Sequence, residues 1–302
     1  LHGASSPTSR QDLLIQGMPF LFVLLWSTGF IGAKYGLPYA EPLTFLLWRF
    51  AILVALLVPF ALLTRAAWPK TWSLAGHIAV SGLLVHAGYL GGVFVAISLG
   101  VSAGLASLVV GLQPLLTAAV VGPLLGERVT LRQWTGLALG LGGLVMVVGE
   151  KVAAGGAGVD AWGMVAAVVA LVCITLGTVY QKRFCGGMEL RTGTAIQYAA
   201  ATVVMLIVAP LFETMVVQWT GDFVFALFWL IGVLSVGAIS LLMVMIRRGE
   251  VARVASFFYM VPPVTALVAW AMFGERMGVV ALGGMAVAVV GVALVVTRKT
   301  DR

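Results

Sequence analysis

Apolar residues along the chain gather into ten long runs, 17–34, 42–63, 74–98, 101–125, 131–148, 161–181, 192–211, 224–246, 252–273 and 278–297, parted by short polar or Gly/Pro-bearing turns. A helix needs about 20 mostly apolar residues to cross a bilayer, so each run predicts one spanning helix. The turns are mostly too short for anything but a reversal, and successive helices must alternate in direction. The longest polar connection, Glu150 to Asp160 with its A-A-G-G-A-G stretch, joins two groups of five.

The pattern also repeats itself. Gln113 to Arg128 reads Q-P-L-L-T-A-A-V-V-G-P-L-L-G-E-R, and Val261 to Arg276 reads V-P-P-V-T-A-L-V-A-W-A-M-F-G-E-R. Pro114, Thr117, Gly126, Glu127 and Arg128 return as Pro262, Thr265, Gly274, Glu275 and Arg276, a shift of 275 − 127 = 148 residues. The same shift pairs Gly29 with Gly177, Lys34 with Lys182, Gly136 with Gly284 and Gly143 with Gly291. A period of half a chain means a duplicated half-protein, with repeats expected over 11–149 and 159–299. Five helices are an odd number, so the second repeat starts on the opposite side of the membrane. The predicted fold is an all-α integral membrane protein of ten transmembrane helices arranged as two inverted five-helix repeats. Such repeats supply two nearly equivalent packings around a midplane site, the structural logic of alternating access.

Composition agrees: 61% hydrophobic and 10% charged residues, with a mean hydropathy of +1.09, leave too little polar surface for a soluble globule of this length. The net charge of +7 lies in the turns, so it speaks for topology and against nucleic acid. Of the 18 Lys and Arg, 14 fall on one side of the alternating spans, three (Lys34, Lys151, Arg276) on the other, and Arg49 lies within a run. The positive-inside rule then puts both termini in the cytoplasm, with a bacterial inner membrane as the expected location. The implied partners are the lipid bilayer and a small-molecule substrate. The oligomeric state is open, and a monomer is compatible with everything above.

A site reached from both sides should lie near the midplane, where the runs hold Trp26, His86, Tyr89, Gln113, Ser240, Ser256 and Tyr259 as cavity candidates. His86 is either a neutral core histidine bonded to a neighbouring helix or a proton-exchanging group, its unperturbed pKa being about 6.5. Gln113 must face a partner helix or a wet cavity, since an unpaired amide in lipid is costly. Trp26, Tyr89, Phe257, Phe258 and Tyr259 either pack or form an aromatic wall for an apolar substrate. Pro114, Pro262 and Pro263 interrupt two helices at matched depth and are candidate kinks. Arg49, some seven residues inside its helix, either snorkels outward, pairs with helix-end carbonyls or a carboxylate such as Glu41, or makes the cavity electropositive. All 11 Asp and Glu sit at run ends or turns, which argues against a cation substrate and leaves ion coupling to His86 or to nothing.

No phosphate-binding loop, nucleophile elbow or zinc-protease pair occurs. Cys173 and Cys185 lack metal-site spacing, so neither a metal nor any cofactor is expected. The G-E-R turns read as helix-end anchors or as gate contacts.

Ten helices, a five-plus-five repeat, and a proline followed by an apolar helix closing in G-E-R in both halves resemble the drug/metabolite transporter superfamily. The EamA-like exporters are nearest, and the texture is most similar to the YddG-type amino-acid exporters. The resemblance implies a central cavity among helices 3, 4, 8 and 9, with 1 and 6 contributing, and export of small neutral or zwitterionic metabolites. Amino acids with aromatic or bulky apolar side chains are the first expectation. Arg49 departs from symmetry, because Gln197 stands at its repeat position. The alternatives are a drug or other-metabolite exporter, a channel, or a membrane enzyme. An enzyme would have to build on His86 with Ser107 or Ser256 and lacks a nearby acid, so no catalytic residue is expected.

Overall fold

A computed structural model of the chain describes residues 10–124, 130–153, 160–238, 241, 245 and 258–296. Helices occupy the predicted runs: α1 Arg10–Gly36, α2 Pro42–Leu63, α3 Trp72–Ser98, α4 in two segments (Ala103–Gly111 and Gln113–Leu124), and α5 Leu131–Ala153. The second half carries α6 Ala161–Phe184, α7 Leu190–Phe212, α8 Gly221–Ala238, α9 Phe258–Phe273 and α10 Val279–Val296. Seven of these are long and apolar enough to cross a membrane, while α4, α9 and α10 are apolar and shorter within the described residues. Leu206, Ile207 and Leu211 of α7 and Val279, Val280 and Leu282 of α10 are all more than half exposed, a belt that suits lipid and not water.

Most boundaries follow from capping chemistry. Thr71, Ser102 and Thr220 each accept a backbone N–H three residues on, and Asp160 takes those of Trp162 and Gly163, so α3, α4, α8 and α6 begin where the sequence supplies a side-chain oxygen. The second G-E-R turn ends α9 through its glycine: Gly274 sits at φ 65°, a left-handed cap, with its N–H on the Trp270 carbonyl. The first copy, Gly126 to Arg128, lies outside the described residues.

The packing obeys the repeat. α5 lies against α10, α2 against α7, and α4 against α9, which are repeat mates. α1 touches α8 and α9 just as α6 touches α3 and α4, the same contacts after exchange of the halves. Helix ends fix the sense. Glu275, after α9, pairs with Lys34 near the end of α1 and accepts the N–H of Ala103 at the start of α4. Lys151 at the end of α5 donates to Ser102 at 2.8 Å. The first repeat therefore finishes, and α6 starts, at the end of the molecule where α1 finishes, so the repeats are inverted.

At the α5–α10 seam the backbones touch. A Cβ on Gly143 would lie 2.3 Å from the Gly284 carbonyl oxygen, and one on Gly284 or Gly291 would lie 2.6 Å from the carbonyl oxygens of Gly143 and Gly136. The glycines that the 148-residue shift relates thus let the mates meet, though in crossed pairs, Gly143 against Gly284 and Gly136 against Gly291.

The Lys34 end is stitched by carboxylates that bond elements other than their own. Glu213, after α7, takes the N–H groups of Leu43 and Thr44 and the Thr44 hydroxyl, each at 2.7 Å, and so caps α2. Glu41, the residue before α2, instead bonds Thr214. Glu150 accepts from the Ala281 N–H near the start of α10, and Asp222 receives the Tyr35 and Tyr39 hydroxyls at 2.7 and 2.9 Å. Each is a charge-assisted bond to an otherwise orphaned donor or a phenol.

Replacing Gly143 by Leu should therefore lower stability by about 1–3 kcal/mol through overpacking. Leu at the neighbouring Gly142, whose Cβ would meet nothing within 4 Å, should leave thermal unfolding in detergent unchanged. Glu213→Ala should cost about 1–2 kcal/mol, the loss of a charged cap, in the same unfolding measurement.

Candidate functional site

The site is built where four helices lose regularity. Pro114 has no N–H to give, and in a continuous helix its ring would strike the carbonyl four residues back. α4 accordingly tightens at Leu112, whose N–H bonds Val109 and whose carbonyl accepts from Leu115. In α9 a three-residue 3₁₀ turn, Phe258–Met260, precedes the α-helical part, with Pro262 and Pro263 in its first turn. Met260 and Leu112 are 148 residues apart, so both breaks fall at one repeat position. The Ser27 hydroxyl donates to the Val261 carbonyl at 3.3 Å, just past the second break. α3 widens into a π-helical turn over Leu83–Gly88, and α8 does so over Trp229–Ala238, again at matched depth. In α8 the Ser235 hydroxyl reaches the Leu230 carbonyl five residues back at 3.0 Å. Such turns shift side chains off the regular helical face, and here they carry His86 and Ser235.

Between these elements lie two adjoining cavities. The larger, about 470 Å³, is lined by Trp26, Tyr89, Gln113, Thr178, Phe258 and Tyr259, among others. The smaller, about 190 Å³, is lined by Arg49, His86, Tyr198 and Ser235 and shares Trp26, Phe30, Tyr89 and Ile174 with the larger as a common wall. The larger falls within the range of small-molecule sites. Trp26 meets Phe258 edge-on at 5.3 Å, and Phe22 closes the triangle at 5.4 and 5.0 Å, an arrangement that holds the aromatic wall rigid. His86 stacks on Tyr198 with ring centroids 4.1 Å apart.

Polar groups around the cavities are unevenly satisfied. Gln113 donates its amide to Thr178 at 3.0 Å, and Thr178 donates on to the Ile174 carbonyl. Arg49, only 2% exposed, donates one N–H to Ser235 at 3.2 Å, while its Nε is buried without a partner. The His86 Nε2 and the Tyr259 hydroxyl are likewise buried and unpartnered. Among the described residues, no group of three metal-ligating side chains converges.

Of the residues singled out from sequence, Trp26, Tyr89, Gln113, Pro114 and Tyr259 line the larger cavity, and His86 and Arg49 the smaller. Pro262 borders a minor void of about 10 Å³ beside Leu112. Pro263 lies in the first turn of the α-helical part of α9 and is absent from the described walls of both cavities. Ser240 and Ser256, with Phe257, lie outside the described residues. Arg49 does not snorkel, and Glu41 is bonded to Thr214 instead of to Arg49. His86 and Ser107 line different cavities, and the Ser107 hydroxyl is turned to its own helix at Gly104, so they form no nucleophile–base pair. Sequence reasoning missed Tyr198, Thr178 and Ser235. Tyr198 carried a signal, standing next to Gln197, the repeat mate of Arg49. Gln197 itself turns to Ser81 and Gln181 at 2.9 and 3.1 Å.

Comparison with known proteins follows the same outline. An inner membrane transporter of Escherichia coli K12, named YedA and uncharacterized, is 29% identical over 96% of this chain and 93% of its own length. The uncharacterized transporter YvbV of Bacillus subtilis is 27% identical over 97% and 93%. A protein of Salmonella typhimurium named "Probable amino-acid metabolite efflux pump" is 33% identical over 46% of this chain and 44% of its own. A solved crystal structure superposes with a TM-score of 0.63 over 95% of this chain and 96% of its own at 24% identity, a likeness of fold. The family model described as "EamA-like transporter family" matches twice, over residues 14–149 and 161–297. With both halves matched in this way, the chain belongs to the EamA-like transporter family, within the drug/metabolite transporter superfamily.

Proposed function

We propose that this membrane transporter is a secondary exporter of small neutral or zwitterionic metabolites, amino acids with aromatic or bulky apolar side chains first among them. It works by alternating access, with five-helix repeats over 11–149 and 159–299 rocking about the cavity. It sits in a bacterial inner membrane with both termini in the cytoplasm, as the 14-to-3 distribution of Lys and Arg supports. The observation that carries the reading is the larger cavity, enclosed by breaks in two repeat-mate helices and walled by Trp26, Tyr89, Phe258 and Tyr259. Backbone irregularity at membrane depth is tolerated where it lines a cavity, and transporter sites form at such breaks. The naming of partial relatives as amino-acid metabolite efflux pumps supports the substrate class. Gln113 contacts substrate, Trp26 and Tyr259 pack on its apolar part, His86 and Tyr89 form the passage to Arg49, and Pro114, Pro262 and Pro263 hold the kinks. Ser240 and Ser256 belong to the same proposal on sequence grounds alone. No carboxylate lines either cavity among the described residues, which supports transport with weak or no ion coupling.

Counterflow in proteoliposomes tests this directly. Preloaded phenylalanine or leucine should drive saturable uptake of the labelled amino acid, and collapsing the proton gradient should leave counterflow unchanged. Non-saturable flux would point to a channel, and substrate turnover without flux to an enzyme. Gln113→Ala should weaken apparent affinity by about two- to tenfold, the worth of one hydrogen bond, with thermal unfolding unaltered. Unchanged kinetics would remove Gln113 from the site.

A further inference from the structure

Among the described residues, Arg49 is the one charged side chain that is buried. Seven residues into α2, about 10 Å from its first turn, it holds a guanidinium in a fully buried position. Guanidinium presents five N–H donors in a planar fork and stays charged at any physiological pH. Here one N–H reaches Ser235 and the Nε–H reaches nothing. Its electrostatic neighbours are the Tyr198 and Tyr89 phenols and the His86 imidazole, not carboxylates. The carboxylates whose side chains are described are engaged elsewhere: Glu275 on Lys34, Glu213 on α2, Glu41 on Thr214, Glu150 on α10, Asp160 on α6, Glu189 on Arg191 and Asp222 on two tyrosines. A buried charge without a counter-charge is costly, and inside a membrane such a residue marks a substrate or ion pathway. The space beside Arg49 is the smaller cavity, which shares Trp26, Phe30, Tyr89 and Ile174 with the larger one.

We infer that the smaller cavity is an anion subsite in which Arg49 holds the carboxylate of the transported substrate, while the apolar or aromatic body lies against Trp26, Tyr89 and Phe258. This deepens the reading of the cavities as the transport site and rests on it. The fork geometry suits a carboxylate bidentately, and the free Nε–H is one of the two donors such contact uses. His86, whose Nε2 is buried without a partner, lines the same cavity. Nothing comparable awaits an ammonium, because the described walls offer hydroxyl, phenol and amide oxygens but no carboxylate. The carboxylate is therefore the end of the zwitterionic substrate that meets a charged partner, while the amino group meets neutral oxygens and ring faces.

The test uses isosteric pairs on the purified full-length protein, read by thermal shift so that passive membrane crossing of the probes does not matter. 3-Phenylpropionate and 4-methylpentanoate, with their primary amides, are compared beside phenylalanine and leucine. The acids should bind about tenfold or more tightly than the amides, the worth of a charged hydrogen-bonded contact. Arg49→Met should abolish the difference between acid and amide while leaving the ligand-free protein as stable as the wild type or more so, since it removes an unpaired buried charge. Arg49→Lys should keep the preference for acids in weakened form. Equal binding of acids and amides would overturn the carboxylate subsite while leaving the transport reading intact. Failure of the whole panel, amino acids included, would overturn both. Should Arg49→Met fail to fold, the acid–amide comparison on the wild type and on Arg49→Lys decides the matter alone.

Discussion

Inside a bilayer a backbone carbonyl or amide that leaves its helical partner can turn only to another protein group or to a wet space. The interior of this transporter is shaped by that constraint. Prolines at 114, 262 and 263 forbid regular helix in α4 and α9, and π-helical turns widen α3 and α8 at similar depth. Four irregular segments placed apart in lipid would each be a defect. Gathered around one centre they become its walls, and a serine such as Ser27 can be spared to meet a carbonyl beside a break. The cavities are thus where the fold stores its broken helices, and α5 and α10, glycine against glycine, form the unbroken seam beside them, α10 lending Val292 to the wall of the larger one.

Duplication gave the two halves one backbone, but their polar groups have diverged. Arg49 and Gln197 hold the same repeat position and both turn inward, yet Gln197 finds Ser81 and Gln181 and is satisfied, whereas Arg49 finds one serine and remains short of partners. Gln113 faces the larger cavity where its mate is Val261. The architecture is symmetric, while the guanidinium, imidazole and amide of the cavity walls, Arg49, His86 and Gln113, stand in the first half, and Arg49 and Gln113 meet hydroxyls of the second. A pseudo-two-fold frame needs such asymmetry to recognise a molecule that has no two-fold of its own.

Much of this was legible in the sequence, for identifiable reasons. Apolar runs and polar turns mark helices because lipid tolerates little else, and the 148-residue shift gave repeat and inversion together. Pro114, Pro262 and Pro263 pointed to breaks because they recur at one repeat position, whereas Pro19, Pro59 and Pro210 lie inside continuous helices. The π-helical turns were not legible, since a widened turn arises from packing of neighbours and leaves no residue type behind. Tyr198 and Thr178 were overlooked for a related reason: tyrosine and threonine are ordinary in a spanning helix, and only the third dimension shows which face the cavity. Arg49 was visible as an anomaly, but its burial and its missing carboxylate were not, because a sequence shows a charge without showing who answers it.

The carboxylates at the Lys34 end have one more consequence. Glu213 and Glu150 bond the starts of α2 and α10, and the positions 148 residues away from them in the sequence are Arg65 and Arg298. A carboxylate can accept from a helix start, and a guanidinium cannot. The two ends therefore cannot be held by the same bonds. Halves related by a pseudo-two-fold thus carry unequal rims, with carboxylates on helix starts at one and arginines at the matching sequence positions of the other.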